Sequence, residues 1–216
     1  MDTHSVFLDT NVYLGYAYNA PFEKHHSECC YVFDASHFHR YTSMTVNQEL
    51  NKKKHDRKKL YKGTLKHCLS GRQLKEFKIS DLGRSEANHF VKMIADAHKS
   101  DGSEVEYIRN LQRSFFTRLM GCLEKRTCQP LIPYSNDGDL KSFFALDGVH
   151  SPDERVLADF FTWAIDGNDC CLVTGDGRLY DLRMKVLKTV SERKGRNVSH
   201  LSIEHISVIP SRFPAP

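Results

Sequence analysis

Four acidic residues stand where carboxylates could gather divalent cations. Asp9 follows the short apolar run 5–8, Glu49 lies just beyond the run 40–43, Asp153 begins an apolar-periodic segment, and Asp176 follows the continuous apolar run 170–174. Singly, each has an ordinary explanation: an acid after a strand is often a turn or cap residue, and Asp153 with Glu154 suits the first turn of a helix. Together they form an oxygen-donor set that would repel itself if desolvated, unless hard cations neutralised it. Such cations can act as Lewis acids at a site of this kind.

The elements that must position these acids are legible in the periodicity. Residues 5–8 and 40–43 read as strands, and a helix running through Glu49 follows the second. Phe22, His26, Cys29, Cys30 and Phe33 recur at helical spacing behind Pro21. Helical patterns cover 86–98 and 104–125, the latter through Val105, Ile108, Leu111, Phe115, Leu119 and Cys122. Residues 130–148, with two prolines and Asn136-Asp-Gly138, read as loop. Ser151 is the expected N-cap of the next helix, with Pro152 at its first position and Glu154 completing a capping box. Residues 170–174 read as a strand buried on both faces, 179–194 as a helix, and a last strand is expected within 199–209. Alternating strands and helices predict an α/β fold with a parallel sheet. If strands deliver the four acids, they converge at the carboxyl edge of that sheet.

The 216 residues carry 31 Lys and Arg against 27 Asp and Glu, too mild a balance by itself to imply a polyanionic partner. Between Leu50 and Cys128, however, 19 basic residues face 9 acidic ones, while the rest of the chain is acidic by six charges. That asymmetry suits a carboxylate site beside a phosphate-gripping surface. Lys52, Lys53, Lys54, Arg57, Lys58 and Lys59, following Glu49, are the candidate grip, with Lys62, Lys66, Arg109, Arg113 and Arg118 in reserve. Tyr61, Phe77, Phe115 and Phe116 are either base-stacking or core residues. No apolar run reaches the length of a membrane span, and no secretory signal is visible. Seven cysteines without a C-x-x-C lead us to expect free thiols and a cytoplasmic location. The nearby His25, His26, Cys29 and Cys30 are better explained by helix packing than by zinc.

Val6-Phe-Leu-Asp-Thr-Asn11 resembles the opening motif of PIN-domain nucleases, and Ser43-Met-Thr-Val-Asn-Gln-Glu-Leu50 resembles their second acidic motif. Asp153-Glu-Arg-Val-Leu-Ala158, followed by Leu172-Val-Thr-Gly-Asp176, is similar to the third and fourth. The likeness covers about residues 5–50 and 150–209. It implies a single three-layer domain over 1–216, its central parallel sheet interrupted by a helical basic insertion or lid at 51–149. It further implies that Asp9, Glu49, Asp153 and Asp176 bind Mg²⁺ or Mn²⁺ and are catalytic, with Asn11 and Thr174 orienting them. Asp159 is then either an auxiliary ligand or a solvent-facing helix residue. The implied activity is endoribonuclease, with single-stranded RNA favoured over DNA, in a toxin or an RNA-processing enzyme. An antitoxin or other protein partner and self-association stay open. Two alternatives also stand: a haloacid-dehalogenase-like phosphatase with Asp9 as nucleophile, against which Asn11 replaces the expected acid, and an inactive PIN-like module binding RNA or protein.

Overall fold

The computed structural model describes residues 3–18, 24–79, 84–99, 102–126, 131–165 and 167–214, with backbone alone at 84, 85, 125 and 126. In chain order the elements are β1 (His4–Leu8), α1 (Thr10–Ala17), α2 (His26–Asp34), β2 (Phe38–Tyr41), α3 (Met44–Leu69), α4 (Arg84–Ala97) and α5 (Glu104–Arg126). They continue through α6 (Gly138–Leu146), α7 (Asp153–Ala164), β3 (Cys171–Thr174), α8 (Gly177–Asp181), α9 (Arg183–Lys194), β4 (Ser202–His205) and α10 (Ile209–Arg212).

The four strands form one all-parallel sheet in the order β2-β1-β3-β4. Val6, Phe7 and Leu8 of β1 and all of β3 are buried, as expected of central strands covered on both faces. Register pairs Leu8 with Val173 and Thr174 with His205, so the residues after β1 and β3 emerge side by side. From β1 the chain winds outward to β2, and from β3 it winds the opposite way to β4. The crevice between β1 and β3 is therefore the topological switch point, where such sheets bind ligands. Right-handed crossovers put α1 and α2 on one face and α7 and α9 on the other. Ring contacts agree: Tyr13 meets Phe33 across α1 and α2, whereas Phe7 meets Phe160 of α7. α5 runs antiparallel to α3, joining it through Lys54 and Met120 at one end and Cys68 and Glu104 at the other. α5 also reaches α1, where Phe115 stacks on Tyr18, so the basic middle of the chain shares one continuous core with the sheet.

Several local expectations change. The stretch expected as loop contains α6, because Asp137 is an N-cap, accepting from the Leu140 N–H at 3.0 Å, and Gly138 is simply its first residue. α7 begins one residue later than expected, at Asp153. A turn closed by the Asp153 N–H on the His150 carbonyl absorbs Ser151 and Pro152, and no side chain caps the helix. Glu154 therefore makes no capping box, and its Oε2 is buried without a hydrogen-bond partner among the described residues. The helix expected over 179–194 breaks at Leu182, where the Arg183 guanidinium takes the Tyr180 carbonyl at 2.9 Å. β2 lies two residues earlier than expected, since Ser43 already caps α3 by accepting from the Val46 N–H. Pro21 and Phe22 lie outside the described residues.

Candidate active site

Asp9 leaves β1 and caps α1. Its Oδ1 accepts the Thr10 N–H at 2.6 Å and its Oδ2 accepts the Thr174 hydroxyl at 2.8 Å. With 3% exposure, burial holds its carboxyl above its ordinary value; the Thr174 and Thr10 bonds oppose that shift and the charge of Asp176 adds to it. Thr10 reaches the other way as well, its hydroxyl donating to Glu49 Oε2 at 2.5 Å. Burial, reinforced by Asp9, also raises the Glu49 carboxyl, and Glu49 Oε1 is buried with no hydrogen-bond partner among the described residues.

Asp153, the first residue of α7, is pushed up to about 7 by burial and then by Asp9, Asp176, Glu49 and Glu154, in that order. All three of the other expected ligands thus act on it. Asp176 caps α8, accepting the Arg178 N–H at 2.8 Å, and its own N–H donates to the Thr174 hydroxyl at 3.0 Å. Asn11 accepts the Gly175 N–H at 2.7 Å, an approach that leaves a Cβ at position 175 only 3.2 Å from the Asn11 oxygen. Thr174 supports Asp9 directly, while Asn11 fixes the turn that carries Asp176. Asp153 and Asp176 line a cleft of about 70 Å³ whose rim includes His150 and Arg178. A larger cavity, about 550 Å³, opens at the opposite edge of the sheet beside His4, Cys170 and Ser202, away from the strand ends where ligands of such sheets bind.

Asp159 does not face solvent. It is 1% exposed, and its two oxygens accept the Thr45 hydroxyl at 2.5 Å and the Ser135 N–H at 2.6 Å, bracing α7 against α3. Spacing alone missed Thr10, although it stands inside the first motif, between Asp9 and Asn11.

Among the described residues no three Asp, Glu, His or Cys side chains are gathered into a ready-made metal site. The donor set nevertheless fits a hard divalent cation in type and charge. It is all carboxylate, one buried oxygen lacks a partner, and the acids raise one another's pKa, as an uncompensated anionic cluster does.

The basic run divides by helical azimuth. Arg57 is 2% exposed and faces inward. Its Nε lies 3.1 Å from Glu86 Oε2, Nη2 donates to Glu86 Oε1 at 3.3 Å, and the guanidinium sits over the Tyr18 ring. That removes it from the expected phosphate grip. Lys53 also turns to Glu86, at 3.8 Å, and Lys54 donates to the Met120 sulfur. Lys52, Lys58 and Lys59 are exposed. Lys52, His55, Lys59, Lys62 and Lys66, all exposed, share an arc of about 80° over about 21 Å of helix. Tyr61 and Phe115 are fully buried core residues, while Phe77 and Phe116 pack half-buried against that core. In reserve, Arg118 donates to His26 Nε2 at 2.9 Å, and His26 Nδ1 meets the Gly15 carbonyl at 2.8 Å.

The fold and site define an α/β protein with a carboxylate cluster at the switch point of a parallel sheet. No family model, curated protein or solved structure matches the chain.

The cluster makes a pH-dependent prediction. A carboxyl held near 7 when folded and near 3.8 when unfolded favours the fold below 3.8, and that advantage is lost as pH rises through 7. In chelator-treated protein, Asp153→Asn should therefore raise the melting temperature, by an amount that grows between pH 4 and 7 and then levels off. A gain independent of pH would show that Asp153 is not held uncharged by its neighbours.

Proposed function

We propose that this chain is a PIN-like, metal-dependent endoribonuclease that hydrolyses phosphodiester bonds in single-stranded RNA. The observation that carries the reading is the convergence of Asp9, Glu49, Asp153 and Asp176 on one edge, each of the first three titrating under the influence of others in the set. Asp9, Glu49, Asp153 and Asp176 would hold Mg²⁺ or Mn²⁺, which when bound supplies an activated water and charge stabilisation at the leaving oxygen. The chain's own hydroxyls do the positioning: Thr174 holds Asp9, and Thr10 holds Glu49. Arg178, on the rim of the cleft, offers a cation to a phosphate there.

The phosphatase alternative requires Asp9 to attack and the side chain at 11 to move a proton. Asn11 has no titratable proton, and its amide is engaged with Gly175 and Thr174. The nuclease reading is tested by incubating purified protein with single-stranded RNA and DNA oligonucleotides, with and without Mg²⁺ or Mn²⁺. Internal cuts in RNA that require the metal are expected. Phosphate release from monoesters without polynucleotide cleavage would favour the phosphatase, and retention of RNA without cutting would favour the inactive module.

The exposed lysines of α3 supply the proposed grip, which predicts a salt effect. Each phosphate contact contributes roughly −0.7 to the log–log slope of affinity against salt for a single strand. Changing Lys59, Lys62 and Lys66 to Gln should flatten that slope by up to about two. Parallel slopes for wild type and variant would mark the stripe as an ordinary solvated face.

A further inference from the structure

Beside Asp176, on the flank away from Glu49, lies a group of planar side chains that the proposed hydrolysis does not use. His205 ends β4 and is paired in register with Thr174, while Tyr180 lies one helical turn beyond Asp176 on α8. The Tyr180 and His205 ring centroids are 5.8 Å apart. His25, just before α2, meets His205 edge to face at 4.9 Å, and the Arg183 guanidinium lies over the Tyr180 ring at 3.9 Å. All four are half-buried, so each keeps surface open to solvent.

The polar edges of His205, Arg183 and His25 have partners. His205 Nδ1 accepts the Ser207 N–H and meets its hydroxyl at 2.8 Å, Arg183 Nη1 donates to the Tyr180 carbonyl at 2.9 Å, and His25 Nδ1 lies 3.5 Å from Glu28. Side chains held in this way lose less freedom when a base stacks on them. Lys24 and Arg178 are exposed nearby and supply cations that phosphates flanking a stacked base would meet.

We infer that Tyr180, His205 and His25, backed by Arg183, form a stepped shelf, its ring planes inclined by 56° and 84°, on which a base of single-stranded RNA stacks against one ring and meets its neighbours edge-on, next to the cleft of Asp153 and Asp176. This deepens the nuclease reading and rests on it. The shelf would seat one nucleotide beside the reacting phosphate and exclude paired strands, whose bases are not free to stack on protein.

The test compares binding of oligoadenylate with binding of an all-abasic oligonucleotide of equal length, in chelator. Stacking of one base is worth about five- to a hundredfold, so wild type should prefer oligoadenylate within that range. Tyr180→Leu with His205→Leu should bring the ratio towards one and leave affinity for the abasic strand within about twofold. Tyr180→Phe should keep the ratio. If the double variant melts early, His25→Leu, at the outer end of the shelf, should still lower it. No base preference in wild type, or a preference untouched by the Leu variants, overturns the shelf. Metal-dependent cleavage assayed in parallel separates the two ideas: cleavage without base preference removes the shelf alone, and base preference without cleavage removes the nuclease reading alone.

Discussion

Asp9→Asn and Asp176→Asn should each lower metal-dependent RNA cleavage by at least about a hundredfold while the fold survives. A hundredfold corresponds to about 2.7 kcal/mol of lost transition-state stabilisation, within what a single misplaced charge at a metal can remove. Asn preserves shape at both positions. At Asp176 it still caps α8, because its side-chain oxygen can accept the Arg178 N–H as the carboxylate does. At Asp9 it can still accept the Thr10 N–H, although its amide nitrogen then faces a Thr174 hydroxyl that already accepts from Asp176 and Asn11, so the bond to Thr174 is weakened. What disappears is negative charge in a group that burial already holds above its ordinary pKa, so the metal-free protein should melt no earlier than wild type. Asp159→Asn supplies the contrast, since both of its oxygens serve as braces to Thr45 and Ser135. It should lower thermal stability and leave the metal dependence of cleavage unchanged. Near-normal cleavage by Asp9→Asn, or early melting of that variant in chelator, would mean that Asp9 is a structural cap and nothing more.

The parts of this molecule that were legible in the sequence are those with a strong local period. β3 was plain because residues 170–174 are continuously apolar, and α5 because Ile108, Leu111, Phe115, Leu119 and Cys122 fall on one stripe, all of them buried. α1 escaped notice because Thr10, Val12, Tyr13, Gly15 and Ala17 are buried around most of its circumference, leaving no stripe to count. α6 was hidden by Asn136-Asp-Gly138, a turn signature that here serves as a cap. Strand order lay beyond reach, since pairing of β1 with β3 across about 165 residues is decided by tertiary packing rather than by either segment alone. The four acids were visible as ends of strands and starts of helices; Thr10 as the link between Asp9 and Glu49 was not, because a hydroxyl's partner 39 residues away leaves no local trace. Arg57 was a signal misread. It shares its azimuth on α3 with Leu50, Tyr61, Thr64 and Cys68, all buried, and treating residues 52–59 as one charged run ignored the helical period that separates it from Lys52 and Lys59.

That misreading exposes the second large effect. Glu86→Ala should destabilise the protein by about 3–5 kcal/mol, because it leaves the Arg57 guanidinium buried without its counter-ion. The pair is 2% and 1% exposed, and burial is the leading influence on Glu86, raising its carboxyl against the pull of Arg57 and then Lys53. Arg57→Ala should cost a similar amount by stranding Glu86, with loss of the packing of the guanidinium on Tyr18 as well. Two charges taken from water together repay little of their desolvation, so the pair differs from either half of it. Arg57→Met combined with Glu86→Leu should recover most of the loss seen in either alanine variant, since apolar side chains of similar volume fill the space with no charge to desolvate. Denaturant melts of the variants, combined as a double-mutant cycle, measure this directly. The double variant should also keep the wild-type salt dependence of RNA binding, because Arg57 faces the protein interior while Lys59, Lys62 and Lys66 face solvent. A double variant no more stable than the singles would mean that the ion pair itself holds α4 to α3, and a flattened salt slope in it would mean that Arg57 turns outward to meet phosphate when RNA binds.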